Sequence, residues 1–513
     1  SNSLFAVNGS GSLGIGTGFA STFSSGNDLE LNNGQINNNG DLIITGGATD
    51  LFLNGGAITG NQVQVNAANV TLNNTTSGSL RFTGTSNLTL NTTSGMRIDA
   101  FGVPGVSAAL NFSGDFDNQS TVTLDSTVNA NGGVTFSGTN FINNDMFMVN
   151  AGSGSFRTVS VENFTNNASV AINTPTSFNR GGGSTVNAAG GTLSVAPAAQ
   201  VNVSGGHLLL NDGGVINNQG GIAVSGNTSR ITFNGGTING NAVVIRGAGL
   251  STTSPGMGSV QIQNTVPINT DFAAGLTATV LGMPGLSANL SSSAANFANN
   301  GSIMLNSSPN ANGIAALSAT GVLVNNGSIK SLVGSGSGRT IQGSNGIVNN
   351  GLIELEAPTS ITINSGNQFT NNGEIKLGDD GVFNITSAGI QTLNNTIDGL
   401  ISGSGTLNLT MTDNFINDGD FDPDGQLDVI GEWAQSATSA INIAIGGLDQ
   451  GTTYDVLAIT GDAELDGQLA VILDGGFTPN FSDVFTVVTA ADVSGTFLNG
   501  KTTLELADGS GYI

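Results

Sequence analysis

Apolar and polar residues alternate along this chain in runs of only three to five positions, each closed by Gly, Asn, Ser or Asp. Residues 374 to 377 (EIKL), 382 to 385 (VFNI) and 406 to 409 (TLNL) are examples. A period of two sends successive side chains to opposite faces, so each run reads as a short strand with one face buried. No stretch sustains apolar residues at i, i+3 and i+4, so helices are not expected.

The runs are organised by a repeated phrase. "FTNNGEIKL" at Phe369 has relatives in "FDNQSTVTL" at Phe116, "FINNDMFMV" at Phe141, "FTNNASVAI" at Phe164, "FANNGSIML" at Phe297, "LVNNGSIKSL" at Leu323, "IVNNGLIEL" at Ile347 and "FINDGDF" at Phe415. From 116 to 164 and from 297 to 369 neighbouring copies lie 22 to 26 residues apart, and the 46 residues from Phe369 to Phe415 are two units with a weaker copy, "LNNTIDGLI" at Leu393, between them. Three short strands and three turns fill about 22 residues, one coil of a right-handed parallel β-helix, a solenoid in which each coil contacts only its neighbours. At about 23 residues per coil the 513 residues give about twenty coils. Within the phrase, Phe369 and Ile375 are expected in the core, Asn371 and Asn372 in stacked amides, and Gly373 at a positive φ.

A longer repeat overlies the first. "LNNGQINNNGDL" (31 to 42) matches "NDGGVINNQGGI" (211 to 222) and "FGVPGVSAAL" (101 to 110) matches "LGMPGLSANL" (281 to 290), each at an offset of 180. "GSGSFRTV" (152 to 159) matches "GSGSGRTI" (334 to 341) at 182. One ordered, slowly drifting offset marks a tandem duplication, which a solenoid tolerates because an inserted block leaves the core continuous. The expected organisation is 1–28 as N-terminal coils, 29–207 and 208–378 as two copies of one block, and 379–513 as acidic C-terminal coils.

Composition narrows the partners. Charged residues make up 9% of the chain and hydrophobic ones 38%, too apolar for a disordered linker. A net charge of −25 with ten Lys and Arg excludes phosphate-neutralising contacts, so no nucleic acid is expected. From Asp379 onward 20 Asp and Glu face a single basic residue, Lys501. The chain has no cysteine, hence no disulfide framework. No apolar run is long enough to cross a bilayer as a helix, so no membrane-spanning helix is expected. The start at Ser1 fits a processed protein or a fragment.

The "NNG-x-I" units resemble the passenger regions of bacterial autotransporters and the stalks of filamentous-haemagglutinin-like surface proteins. "NDGDFDPDGQLDVIGEWAQSATSAINIAIGG" (417 to 447), "YDVLAITGDAELDGQLAVIL" (454 to 473) and "FTPNFSDVFTVVTAADVSGTF" (477 to 497) are similar to the closing repeats of giant bacterial exoproteins. There a small-residue Pro-Gly turn stands where this chain has "DFDPDGQ". The resemblance implies an extracellular or cell-surface β-solenoid with a structural, adhesive or fibre-forming role, and it carries over no catalytic residue.

Candidate chemistry is sparse. "DFDPDGQLD" places Asp420, Asp422, Asp424 and Asp428 around Gly425 at the spacing with which a calcium loop begins, although Gly431 stands where the bidentate Glu belongs. Calcium at these four residues and a solvated acidic turn are the two readings, and no other cofactor is required. Arg157 and Arg339 stand at equivalent places in the two copies. Each either contacts a ligand or partner, such as an acidic glycan, or closes an irregular loop by donating to backbone carbonyls. Pro104 and Pro284, between glycines, are expected in protruding turns that either dock laterally or are inert. The lone histidine, His207, is expected at a strand edge rather than in a catalytic triad. Asp379 with Asp380, which point to opposite faces of a strand or are solvated in a turn, and Asp413 with Asp418, which has no base nearby, are the carboxylate pairs available to an enzyme.

The sequence therefore predicts a structural or adhesive element of a bacterial surface or extracellular fibre, self-associating through solenoid ends such as the apolar "SNSLFAV". Its other partner would be a glycan or surface of a host or neighbouring cell. A polysaccharide-binding or polysaccharide-cleaving β-helix is the alternative, distinguished by a cleft of three or more carboxylates beside an Arg or Lys.

Overall fold

The computed structural model describes residues 3–91, 94–127, 131–152, 156–310, 312–334, 338–386, 391–412, 414–480 and 482–499. It contains no helix among them; 62% of residues lie in strands, and the strands stack in parallel into a β-solenoid of about 18 turns. The chain divides into two compact units, Ser1–Ser259 and Val260–Ile513, so the division falls inside the second sequence copy.

In the first unit an eleven-stranded sheet runs from Ala20–Phe23 to Thr237–Gly240. Successive members pair in parallel one coil apart, as Ser79 does with Arg97 and Ile98 with Val122. A second ladder builds another side, in which Leu29 aligns with Leu51, Leu51 with Val70 and Val70 with Leu88, all buried. Strand alternation explains the packing: inward positions are Leu, Ile, Val and Phe, and outward positions are Asn, Ser and Thr. Phe116, Phe141 and Phe164 stack at ring-centroid spacings of 5.1 and 4.9 Å.

The second unit carries a six-stranded parallel sheet formed by Asn296–Asn299, Val322–Asn325, Ile347–Asn349, Gln368–Asn371, Thr392–Asn395 and Asn414–Asn417. Phe297, Leu323, Ile347, Phe369 and Leu393 follow one another in register and are fully buried. The asparagine that ends each strand is also buried. Its Nδ2 donates to the next Oδ1 along the whole series Asn299, Asn325, Asn349, Asn371, Asn395 and Asn417, at 2.8 to 2.9 Å. The same Nδ2 also reaches a backbone carbonyl, for example that of Glu374 from Asn349 at 3.0 Å. Burial of these amides in line is tolerated because each has partners on the adjacent coils, and an orphaned one would cost about 1–3 kcal/mol. The first unit has the same device from Asn118 through Asn143, Asn166 and Asn187 to Asn211.

Two expectations change. The coil length is not uniform: the step from Asn69 to its partner Asn87 is much shorter than the step from Ala463 to its partner Val493. The long coils begin after Asn417, where the "NNG" phrase ends. Gly373 is not among the positive-φ glycines. Glycine is needed there because a Cβ would overlap the carbonyl oxygen of Gly351 one coil away, and Gly351 stands in the same relation to Gly327. Close approach of stacked turns sets this residue.

Candidate functional site

The acidic segment is a strand, a turn and a strand. Asp420–Pro423 is extended and Gln426–Ile430 follows after the turn at Asp424 and Gly425, whose φ is +88°. Phe421 and Pro423 point inward and are buried, which turns Asp420 and Asp422 outward together. Asp420 accepts from the backbone N–H of Ala440 at 3.1 Å, and Asp428 accepts from Gln426 Nε2 at 2.7 Å. Asp420, Asp422 and Asp428 thus lie on strands and Asp424 in the turn between them, and among the described residues no group of three Asp, Glu or His is placed to hold a metal ion.

What the fold brings together instead is a cleft of about 790 Å³ in the second unit. Glu374, Asp422, Asp424, Asp455 and Asp474 line it, with Lys376. Register explains part of the meeting: Lys376 aligns with Ser402 and Ser402 with Asp422, on three successive coils. Asp455 is buried and holds two segments together, accepting from Gly425 N–H at 2.8 Å and Ala444 N–H at 2.7 Å. Burial pushes Asp455 above the ordinary carboxylate value, with Asp424 and Asp474 adding to the rise against the two backbone donors. Asp422 is raised as well, first by desolvation and then by the charges of Asp455, Asp424, Glu374 and Asp420. A carboxyl whose pKa is raised by burial is biased toward its protonated, donating form. The sequence spacing exposed only Asp422 and Asp424 of this group. Asp455 and Asp474 arrive from the later, longer coils, in which Gln426 pairs with Val456 and Ile445 with Leu473, outside the period of the repeated phrase.

Arg157 and Arg339 are inside the solenoid, 0% and 2% exposed, and so present nothing to a partner. Arg157 Nη2 donates to Ser126 Oγ at 2.8 Å, and Arg339 Nη2 to Ser307 Oγ at 3.0 Å and to the Leu332 carbonyl at 3.0 Å. Burial lowers both guanidinium pKa values, with Asp125 opposing the shift at Arg157. Strand parity held the signal: Arg157, Val159 and Val161 share one face, as do Arg339 and Ile341. Arg157 thereby ties its strand to the end of Thr121–Ser126 and Arg339 its strand to the end of Ser302–Ser307, while the neighbouring segments 153–155 and 335–337 lie outside the described residues.

Pro104 and Pro284 occupy exposed tight turns. Val103 and Val106 exchange two backbone hydrogen bonds of 3.1 and 3.0 Å, and Met283 and Leu286 exchange two of 2.9 and 3.0 Å. Pro sets the first corner and Gly105 or Gly285 takes the second at φ +75° or +71°. The next coil steadies each turn, since Asn131 Oδ1 accepts from Gly105 N–H at 2.7 Å and Asn312 Oδ1 from Gly285 N–H at 2.5 Å.

His207 directly precedes the strand Leu208–Asp212 and is 1% exposed. Its Nδ1 lies 3.2 Å from the Arg180 carbonyl and its Nε2 2.9 Å from Thr185 Oγ1. The carbonyl requires Nδ1 to donate, and in the neutral ring Nε2 then accepts from the threonine hydroxyl. Burial lowers its pKa accordingly. Asp413, and Lys501 with the rest of 501–513, lie outside the described residues.

No family model matches the chain, and none of the curated proteins searched matches it.

Proposed function

We propose that the protein is a structural or adhesive β-solenoid of the bacterial surface or extracellular space, of the kind seen in autotransporter passengers and filamentous-haemagglutinin-like stalks, and that it associates end to end. The observation that carries this reading is the repetition itself. Buried asparagine ladders and aligned apolar positions make each coil a template for the next, and the outward columns are largely Asn, Ser and Thr. Such a stack continues wherever another coil meets its edge, because unpaired strand edges recruit strands. Among the described residues Leu4–Asn8 pairs with Asp28–Asn32, and Leu4, Phe5 and Phe19 are 58%, 49% and 72% exposed. Electron microscopy of purified protein over a concentration series tests it: filaments that lengthen with concentration support it, and particles that stay separate count against it.

A second reading, a polysaccharide-cleaving β-helix, is favoured by the cleft of five carboxylates beside Lys376. Acid and base roles would fall to Asp422 and the carboxylates around it. Release of reducing ends from acidic and neutral polysaccharides, abolished by Asp422→Asn, is its test; no release from any of them removes it.

A further inference from the structure

The buried asparagine ladder of the second unit stops with one rung unused. Asn417 accepts from Asn395 at 2.9 Å, but its own Nδ2 has no hydrogen-bond partner although the residue is 3% exposed. The next rung is occupied all the same. Ser436 N–H donates to the Asn417 carbonyl, as Asp418 N–H does to that of Asn395 and Thr396 N–H to that of Asn371, which places Gln435 in the ladder column, buried. Glutamine is one methylene longer than asparagine. Its Oε1 has no partner either, and its Nε2 reaches only the Ser439 carbonyl, at 3.4 Å. A buried donor and a buried acceptor thus stay unpaired on consecutive rungs, at a cost that the paired rungs avoid.

Backbone pairing is thinnest at the same step. The coil of Asn414–Asn417, Asp420–Pro423 and Gln426–Ile430 is followed by that of Trp433–Ala434, Ala440–Ile445 and Val456–Ile459, and the two meet along three sides. On the first side Asn414–Asn417 is the last strand of the six-stranded sheet, and Trp433–Ala434 begins a separate, three-stranded one. On the second, Phe421 with Ile441 is the one aligned pair, whereas one coil earlier Leu400–Gly403 aligns with Asp420–Pro423 throughout. Only on the third does the ladder run on, Gln426 aligning with Val456 and Val429 with Ile459. A cleft of about 610 Å³ lies along this seam, lined from both sheets by Asn414, Phe415, Trp433 and Glu464 among others. Across the seam the Trp433 ring stands 5.5 Å from that of Phe415 and 4.3 Å from that of Phe421.

We propose that the solenoid opens at this seam, the coils from Trp433 onward coming away as one unit while the asparagine ladder stays folded, and that the missing Gln435 rung sets how often it does so. Partial opening follows the weakest contiguous boundary, and in a stack each boundary is an interface between neighbouring coils. Opening bares the strand edge of Asn414–Asn417, with Asn417 Nδ2 as a donor at its end, so the later coils act as a detachable cover on the ladder. It takes place within one molecule. Dilution, which suppresses end-to-end association, therefore leaves it unchanged.

Trp433, the single tryptophan of the sequence, reports the opening because it is 2% exposed when the seam is closed. In a urea titration of the full chain at low concentration its emission is expected to shift to the red before the far-ultraviolet β signal is lost. Hydrogen exchange read by mass spectrometry is expected to show peptides from 433–473 exchanging together, about tenfold or more faster than those from 347–395. Gln435→Asn supplies the side-chain length used at the other rungs. It is expected to slow exchange in 433–473 about tenfold and to leave 347–395 unchanged. Coincident urea transitions, or equal exchange on the two sides of the seam, in the wild-type chain overturn the proposal whether or not the variant folds. Exchange in 433–473 that is unchanged or faster in a folded Gln435→Asn chain overturns it too.

Discussion

The Asn371 side chain takes part in three hydrogen bonds, accepting from Asn349 Nδ2 and donating to Asn395 Oδ1 and to the Leu400 carbonyl. Asn371→Ala strands the buried donor of Asn349 and the buried acceptor of Asn395, so we expect a loss of about 2–4 kcal/mol, read as a lower denaturation midpoint. Its neighbour Asn372 donates to Asn350 Oδ1 at 2.9 Å on the exposed side, where water replaces the lost partner. Asn372→Ala should therefore stay within about 0.5 kcal/mol, and an equal effect at both positions would refute the burial argument. His207 supplies a pH signature. Its folded pKa lies below the ordinary value, so the unfolded chain binds the extra proton, and stability falls as pH drops below the ordinary histidine range. His207→Gln should flatten the fall between pH 7 and pH 5, and an unchanged slope would assign the acid sensitivity elsewhere. The sequence disclosed the inward Phe369 and the amide pair Asn371 and Asn372, because strand parity and a repeated phrase both report neighbours one coil away. It did not disclose the reason for Gly373, since a close approach between turns leaves the same glycine as a positive φ.

Among the elements, the Pro-Gly turns are conformationally determined. Gly105→Ala places a side chain at φ +75° in open space, so only backbone strain opposes it, and a cost of about 1 kcal/mol is expected. Gly373→Ala meets a carbonyl oxygen and should cost more, about 1–3 kcal/mol. The acidic cleft has the opposite pH response to His207. Asp422 and Asp455 both have folded pKa values above the ordinary carboxylate value, so the folded chain binds the extra protons. Stability of this region rises as pH falls through that raised range, and Asp422→Asn should reduce the rise by removing both a titrating group and a repulsion. A larger rise in the variant would contradict the geometry. The sequence motif here was legible as acidity but not as arrangement. Calcium spacing presumes a loop that wraps its ligand, whereas the alternation of Phe421 and Pro423 with Asp420 and Asp422 draws the segment into a strand. The carboxylates that complete the cleft come from coils whose length departs from the repeat, and a period cannot predict partners where it changes.

Over the whole molecule, stability is a sum of contacts between adjacent coils, so each substitution above should act on its own neighbourhood and spare the other unit. The fold class was legible because a solenoid writes its period into the chain. The acidic cleft was not, because Asp455 and Asp474 come from coils beyond Asn417, where the period breaks. We propose that one coil is the template for the next between molecules as well as within one. Electron microscopy with electron diffraction of the purified protein tests it most directly. We expect unbranched filaments that lengthen with concentration and diffract at about 4.8 Å along their axis, the spacing of stacked strands. Separate particles at every concentration, together with release of oligosaccharides from a polysaccharide substrate, would contradict it.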